Sequence, residues 1–350
     1  MKVVVWDNIG NVLWGMRAWD EWDATNQAQL LAEDPDAVKT VLSLAEMFRD
    51  YPLELCQVHA EDELAAVLAD ADVLIVHKET VPPELLEQAR HLRLIQHLGQ
   101  DYRGVPVKTA RAMNVPVAAT PLVNYIAVAE HTWALILNHL KRLPAQRGVM
   151  AARAYTEDGN WKQDRLAGLT LARDLTLGLL GFGEIARPIA RVAQAFDMQT
   201  LYWDVQRFPD LEHVYSVSYT GWDDLFRRSD VLSVHLALNE QTHGIVGVKE
   251  FGLMKPTSLF INTARGKLVD QDALVRALQE GRLGGAALDV FAEEPLPFDD
   301  PLHALHDLND KVTLTPHNAW QGHWTHIRDS QTLWLNVLRL FEGEALEYLV

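Results

Sequence analysis

The chain has 350 residues, a formal net charge of −17 and one cysteine. That length suits two domains, each with apolar content for its own core. Strong acidity argues against nucleic acid or an anionic membrane surface as a partner, because both need clustered Lys and Arg. A single cysteine excludes an intramolecular disulfide and a cysteine-rich zinc site.

No metal site is expected. Cys56 lies in an apolar run, Leu53 to Val58, and reads as a buried structural thiol. The opening MKVVVWDNIG turns polar too early for a secretory signal, and no apolar run reaches membrane length. A soluble cytoplasmic protein is the expectation.

Lys2 to Trp6 is apolar and β-branched, the mark of a buried parallel strand. Asp7 to Asn26 carries three further tryptophans among Gly, Asn and Asp. It reads either as a loop or short helix over the substrate entrance or as aromatics packed on a sheet edge. Asp36 to Asp50 is helical by period, Leu53 to Val58 a strand, Glu61 to Ala69 a helix and Val73 to His77 a strand. Glu84 to Arg90 follows as a helix, then strands at Leu92 to Gln96 and Val115 to Ala118. This alternation implies a small doubly wound parallel-sheet domain. After a hinge bracketed by Pro116 and Pro121, Tyr125 to Leu143 is a helix apolar around its circumference, to be buried within the fold or against a second subunit. Val149 to Leu169 is polar and reads as an irregular arm.

Leu175 to Asp204 is the centre of the second half. A strand, Leu175 to Leu180, meets Gly181-Phe182-Gly183. A helix follows with Ile185, Ile189, Val192, Ala193 and Phe196 at helical spacing, and then a strand, Thr200 to Trp203, ends on Asp204. In a Gly-x-Gly-x-x-Ala turn, Gly181 permits the tight bend, Gly183 lets backbone approach a pyrophosphate, and Ala186 allows close helix packing. The helix N-terminus favours the phosphates. Asp204, roughly 20 residues past Gly183, stands where a carboxylate accepts hydrogen bonds from a ribose diol and repels a 2′-phosphate. NAD is therefore favoured, while Arg207 could offset that repulsion and keeps NADP open. The six letters alone also describe a plain turn into a core helix; the flanking strands and the acid favour the dinucleotide.

Beyond Asp204, helices are expected at Trp222 to Arg227, Lys249 to Met254 and Gln271 to Glu280. Strands are expected at Val231 to His235, Ser258 to Asn262, Gly285 to Asp289 and Lys311 to Leu314. Thr325 to Phe341 is an amphipathic helix able to return to the first domain. Ligands of open α/β sheets bind beyond the carboxyl ends of the strands, and three polar residues stand there: Arg265, Glu294 and His317. Singly, each could be an ordinary surface group, and His317 is one of 14 histidines. Together, beside a nicotinamide, they suffice for reducing a 2-oxo acid. Histidine supplies a proton near neutral pH, a carboxylate orients the ring, and arginine grips the substrate carboxylate.

On GLLGFGEIA (Gly178 to Ala186), NTARGKLVDQDALVRAL (Asn262 to Leu278), GAALDVFAEEPLP (Gly285 to Pro297) and LTPHNAW (Leu314 to Trp320), the chain resembles the D-isomer-specific 2-hydroxyacid dehydrogenase family. AVAEHTWALIL (Ala127 to Leu137) is similar to that family's dimer helix. The resemblance implies a Rossmann NAD-binding domain, residues 121–319, inserted into a flavodoxin-like substrate domain of residues 1–120 and 320–350. It implies Arg265 as substrate ligand, His317 as acid/base and Glu294 as its partner. Cofactor contacts would come from Gly181, Phe182, Gly183, Glu184, Ile185, Asp204, His235, Thr242, Thr263, Ala264 and Asp289. Lys78 and Gly99 would meet the substrate carboxylate. The implied reaction reduces a 2-oxo acid to the (R)-2-hydroxy acid with NAD(P)H, in a homodimer.

Two departures stand out. Trp320 occupies a segment that is small in many members; it narrows the pocket, stacks on an apolar substrate tail, or caps the domain interface. The loop LGQDYRGV differs from the commoner G-x-DN-V-D. The competing reading is an NAD(H)-sensing, corepressor-like regulator on the same scaffold, and the intact Arg265, Glu294 and His317 favour an enzyme.

Overall fold

A strand apolar on both faces must be covered on both, so runs like Lys2 to Trp6 require helices above and below a parallel sheet. A computed structural model of the chain describes residues 1–6, 51, 53–77, 79–99, 102–120, 124–157, 160–161, 169–308, 311–322 and 325–350. The tryptophan-rich segment after Trp6, the helix expected at Asp36 to Asp50, and Lys78 lie outside the described residues.

Strands β1 (Lys2–Trp6), β2 (Glu54–Val58), β3 (Val73–Val76), β4 (Leu94–His97) and β5 (Val117–Ala119) form one sheet in the order β2-β1-β3-β4-β5. All its pairings are parallel, and the order is the flavodoxin-like one. A hairpin pairs β6 (Thr156–Glu157) with β7 (Asn160–Trp161). A second sheet contains β8 (Thr176–Leu180), β9 (Gln199–Trp203), β10 (Val217–Tyr219), β11 (Val231–Val234), β12 (Leu259–Asn262), β13 (Gly285–Leu288) and β14 (Val312–Leu314). Its order, β10-β9-β8-β11-β12-β13-β14, reverses between β8 and β11, the Rossmann arrangement. The chain divides into two compact units, Met1–Asn124 with Gly322–Val350, and Tyr125–Gln321. The second is thus inserted into the first, and both are α/β.

In the first unit, alternate residues of β1 feed opposite faces. Val4 and Trp6 join Leu64 and Leu86 on one side, while Val3 and Val5 join Leu333, Trp334, Val337 and Leu338 on the other. Those four come from the helix Thr325–Glu342 at the spacing of one helical face. Asn336 of that helix is buried and satisfied: its amide donates to Gln96 Oε1 at 2.9 Å and to the Glu347 carbonyl at 2.8 Å. In the second unit, Leu177 and Leu179 of β8 meet Trp133 and Ile136 of the helix Tyr125–Leu140. Leu180 faces the other core, with Phe226, Phe251 and Leu274.

Several elements differ from expectation. The long helix ends at Leu140, because Arg142 takes a left-handed φ of 48° and Pro144 opens a separate helix, Leu143–Ala151. The helix expected at Glu84 to Arg90 is one turn, Pro83–Leu86. The helix Pro209–Tyr215, β10 and the helix Pro301–Leu308 answer to no expected element. They are short, and β10 is an edge strand of three residues that buries only Val217, too little for a period to register. Cys56 is partly rather than fully buried, because β2 is an edge strand. No helix of the described residues is long and apolar enough to cross a membrane.

Trp334 is fully buried beneath the first sheet. Trp334→Ala is expected to cost about 3–5 kcal/mol, read as a lowered denaturation midpoint in urea; a loss below about 1 kcal/mol would contradict this packing.

Candidate active site

The dinucleotide turn starts where β8 ends. Gly181 has φ +98°, and a Cβ there would lie 2.8 Å from the His235 carbonyl, so the turn demands glycine both for its backbone angle and for the close approach of the chain after β11. A Cβ on Gly183 would meet nothing within 4 Å. That face is open, at the entrance to the helix Ala186–Ala195, and suits a pyrophosphate of NAD. Phe182 is fully buried, its ring 4.5 Å from that of Tyr202 and 5.8 Å from that of Tyr215. Its side chain anchors the turn to the core, which leaves backbone alone for a ligand. Glu184 is exposed and Ile185 half-buried.

Asp204 sits just past β9, and its Oδ2 accepts the Phe182 N–H at 2.7 Å. The acid therefore also braces the glycine turn. Arg207 is turned to Glu212, with Nε 2.7 Å from Oε1 and Nη2 3.0 Å from Oε2.

The three residues named for chemistry occupy strand-end loops of the second unit. His317 Nδ1 lies 2.7 Å from Glu294 Oε2. An ionised carboxylate only accepts, so Nδ1 carries the donated proton and Nε2 is left for exchange. Glu294 Oε1 accepts the Phe291 N–H at 2.9 Å, so both carboxylate oxygens are fixed. Partial burial pushes the Glu294 carboxyl up, but the His317 hydrogen bond, the Phe291 N–H and the nearby charges of His317 and Arg265 outweigh it and hold it below the usual carboxylate range. A lowered carboxylate contributes stability above its unfolded value, lost as pH falls through the folded one. With side chains 39% and 34% exposed, His317 and Glu294 remain open to proton exchange.

Arg265 is brought to this pair by backbone. A Cβ on Gly266 would collide with the Phe291 carbonyl, so the arginine turn is seated directly on the loop that carries Glu294. Asn262, buried at the end of β12, clasps the turn from within: its Oδ1 accepts the Ala264 N–H at 3.0 Å and its amide donates to the Arg265 carbonyl at 2.9 Å.

Asp289 does the same for His317. Its carboxylate accepts the Thr315 hydroxyl at 2.6 Å, the Asn318 N–H at 3.0 Å and the Ala319 N–H at 2.9 Å, and so holds the loop on either side of the histidine. His131 Nε2 lies 3.1 Å from Thr315 Oγ1. His317 itself has φ +52°, an unfavourable angle for a residue with a side chain. The Trp320 indole N–H donates to its carbonyl at 2.9 Å. The polar edge of Trp320 is thus committed to the loop.

The remaining expected residues lie at strand ends or in the loops beyond them and make bonds within the fold. The Thr242 hydroxyl donates to the Ala237 carbonyl at 2.7 Å. Thr263 Oγ1 lies 3.2 Å from Thr132 Oγ1, and Ala264 is held by Asn262. His235, at the reversal of strand order, has both ring nitrogens buried without a hydrogen-bond partner among the described residues, and burial pushes its pKa down to about 3. It is neutral at ordinary pH. In the first unit, Gly99 follows β4 with φ +95° and donates its N–H to Thr120 Oγ1. Asn262, Thr315, His131 and Glu212 were not singled out by sequence; the buried Asn in NTARG, three residues before the arginine, was the one legible signal.

Residues 135–319 match the family model described as "D-isomer specific 2-hydroxyacid dehydrogenase, NAD binding domain". The chain is 36% identical over 279 residues to glyoxylate reductase from Korarchaeum cryptofilum, covering 79% of this chain and 81% of that one. It is 35% identical over 297 residues to glyoxylate reductase from Aeropyrum pernix, covering 83% and 85%. Among solved structures it is similar to D-lactate dehydrogenase from Aquifex aeolicus complexed with NAD and lactic acid, at 26% identity and TM-score 0.73 over 98% of this chain and 96% of that one.

The two glycines separate packing from binding. Gly266→Ala should lose about 2–3 kcal/mol of stability, whereas Gly183→Ala should unfold within about 1 kcal/mol of wild type yet bind NADH more weakly in a calorimetric titration. The reverse pattern would contradict the placement of either turn.

Proposed function

The chain belongs to the D-isomer-specific 2-hydroxyacid dehydrogenase family, whose NAD-binding domain it carries, and on that premise we propose that it reduces a small 2-oxo acid to the (R)-2-hydroxy acid. NAD supplies the hydride chemistry when bound. The observation that carries the reading is the 2.7 Å pairing of His317 with Glu294 beside Arg265.

His317 presents Nε2 to the substrate oxygen and delivers a proton there as negative charge develops, the step a hydride acceptor requires. Glu294 keeps Nδ1 protonated, fixes the ring plane and stabilises the imidazolium. Arg265 binds the substrate carboxylate with two parallel N–H donors and sets the carbonyl for attack. Run backwards, the same groups take the hydroxyl proton to Nε2. Lys78 and Gly99 are assigned to the substrate carboxylate, Trp320 to the substrate side of the site, and the backbone around Gly181 to Ile185 together with Asp204, His235, Thr242, Thr263, Ala264 and Asp289 to the cofactor.

Asp204 favours NADH over NADPH through repulsion of a 2′-phosphate. Exposed Ile126, Leu143 and Met150 on the helices Tyr125–Leu140 and Leu143–Ala151, with exposed Leu169 and Leu171, support a homodimer through the second unit. A cytoplasmic location is part of the same reading. Glyoxylate is the first substrate to test, since the relatives named above are glyoxylate reductases.

Wild-type protein should oxidise NADH with at least one member of a panel from glyoxylate to bulky aromatic 2-oxo acids. His317→Ala and Arg265→Lys should each lower kcat/KM by about 100-fold or more, with NADH affinity nearly intact. Full turnover in either variant would remove the assigned role. Tight NADH binding with no oxidation by any acid would leave an NAD-sensing regulator as the better reading.

A further inference from the structure

The chain places a permanent cation, Arg207, in the loop after β9, three residues past Asp204, the acid read as the ribose partner. A guanidinium there is the group that would pair with a 2′-phosphate. It is held elsewhere. Nε and Nη2 grip the two oxygens of Glu212 at 2.7 and 3.0 Å, and the guanidinium carbon lies 5.7 Å from the centre of the Tyr219 ring.

Glu212 is in turn fixed from the core. The buried Tyr202 donates its hydroxyl to Glu212 Oε1 at 3.0 Å and accepts the Phe208 N–H at 2.9 Å. The Arg207 hydrogen bond holds the Glu212 carboxyl below the usual carboxylate range, so it stays ionised at working pH. Two-pronged geometry and a buried anchor distinguish this pair from an ordinary surface ion pair.

We propose that Glu212 is a second determinant of cofactor choice, acting as a positioning residue that keeps Arg207 away from the 2′-position and so withholds that cation from NADPH. The inference rests on the reading of Asp204 as the ribose-end carboxylate. Asp204 repels the phosphate directly; Glu212 acts by removing what could compensate.

The test is equilibrium binding of NADH and NADPH at low ionic strength, followed by quenching of tryptophan fluorescence. Glu212→Gln keeps the shape and loses the charge. It should tighten NADPH roughly three- to tenfold, the modest gain expected of a partly exposed pair, and move NADH less. The gain should vanish in Glu212→Gln with Arg207→Ala and be missing from Asp210→Asn, which removes a neighbouring charge that Arg207 does not hold. Unchanged NADPH affinity in Glu212→Gln, a gain that survives loss of Arg207, or an equal gain in Asp210→Asn would overturn the proposal. Should Glu212→Gln fail to fold, Arg207→Ala decides alone. Here NADPH affinity should stay at the wild-type value, and a marked weakening would show that Arg207 already serves the phosphate. Wild-type protein that binds neither nucleotide would instead defeat the dinucleotide reading itself.

Discussion

The hydrogen bond between Glu294 and His317 is the interaction on which the site depends. One carboxylate oxygen accepts from Nδ1 at 2.7 Å while the other is tied to the Phe291 N–H. The ring therefore has one orientation and one nitrogen available for chemistry. Because the loop that carries Glu294 is also the seat of Gly266, any movement of that loop displaces Arg265 as well. His317, Glu294 and Arg265 are thus a single mechanical unit, built from the chain segments after β12, β13 and β14.

Rigidity comes from buried polar groups whose partners are mainly backbone. Asn262 closes the arginine turn, and Asp289 gathers Thr315, Asn318 and Ala319. Each is nearly inaccessible to water, where a satisfied hydrogen bond gains strength and an unsatisfied one is costly. The left-handed backbone of His317 is sustained in the same way, with Trp320 bonded to its carbonyl. Beyond β9, Asp204 is tied to the glycine turn through the Phe182 N–H. Residues expected to touch ligands therefore also hold one another in place.

Much of this was legible in the sequence. Buried parallel strands announce themselves as unbroken apolar runs, and the Gly-x-Gly-x-x-Ala turn has its physical cause in a backbone contact, Gly181 against His235, that leaves no room for a side chain. Arg265, Glu294 and His317 stood out because each follows a strand, where open α/β sheets bind their ligands. Hydrogen bonds between segments distant in the chain were not legible. Nothing local to Asp289 shows that its carboxylate is taken up by residues of the following strand-end loop, nor that the indole of Trp320 turns back onto His317. The helix Pro209–Tyr215 and β10 escaped notice because they are too short for a period, yet they carry Glu212 and the Tyr219 ring that hold Arg207.

The most direct measurement is single-turnover oxidation of bound NADH by a saturating 2-oxo acid, compared between wild type and Glu294→Gln, with NADH affinity determined in parallel. An imidazole that relies on its carboxylate predicts hydride transfer slowed by about 100-fold at unchanged NADH affinity. Equal single-turnover rates would mean that the pairing of Glu294 with His317 has no part in the reaction.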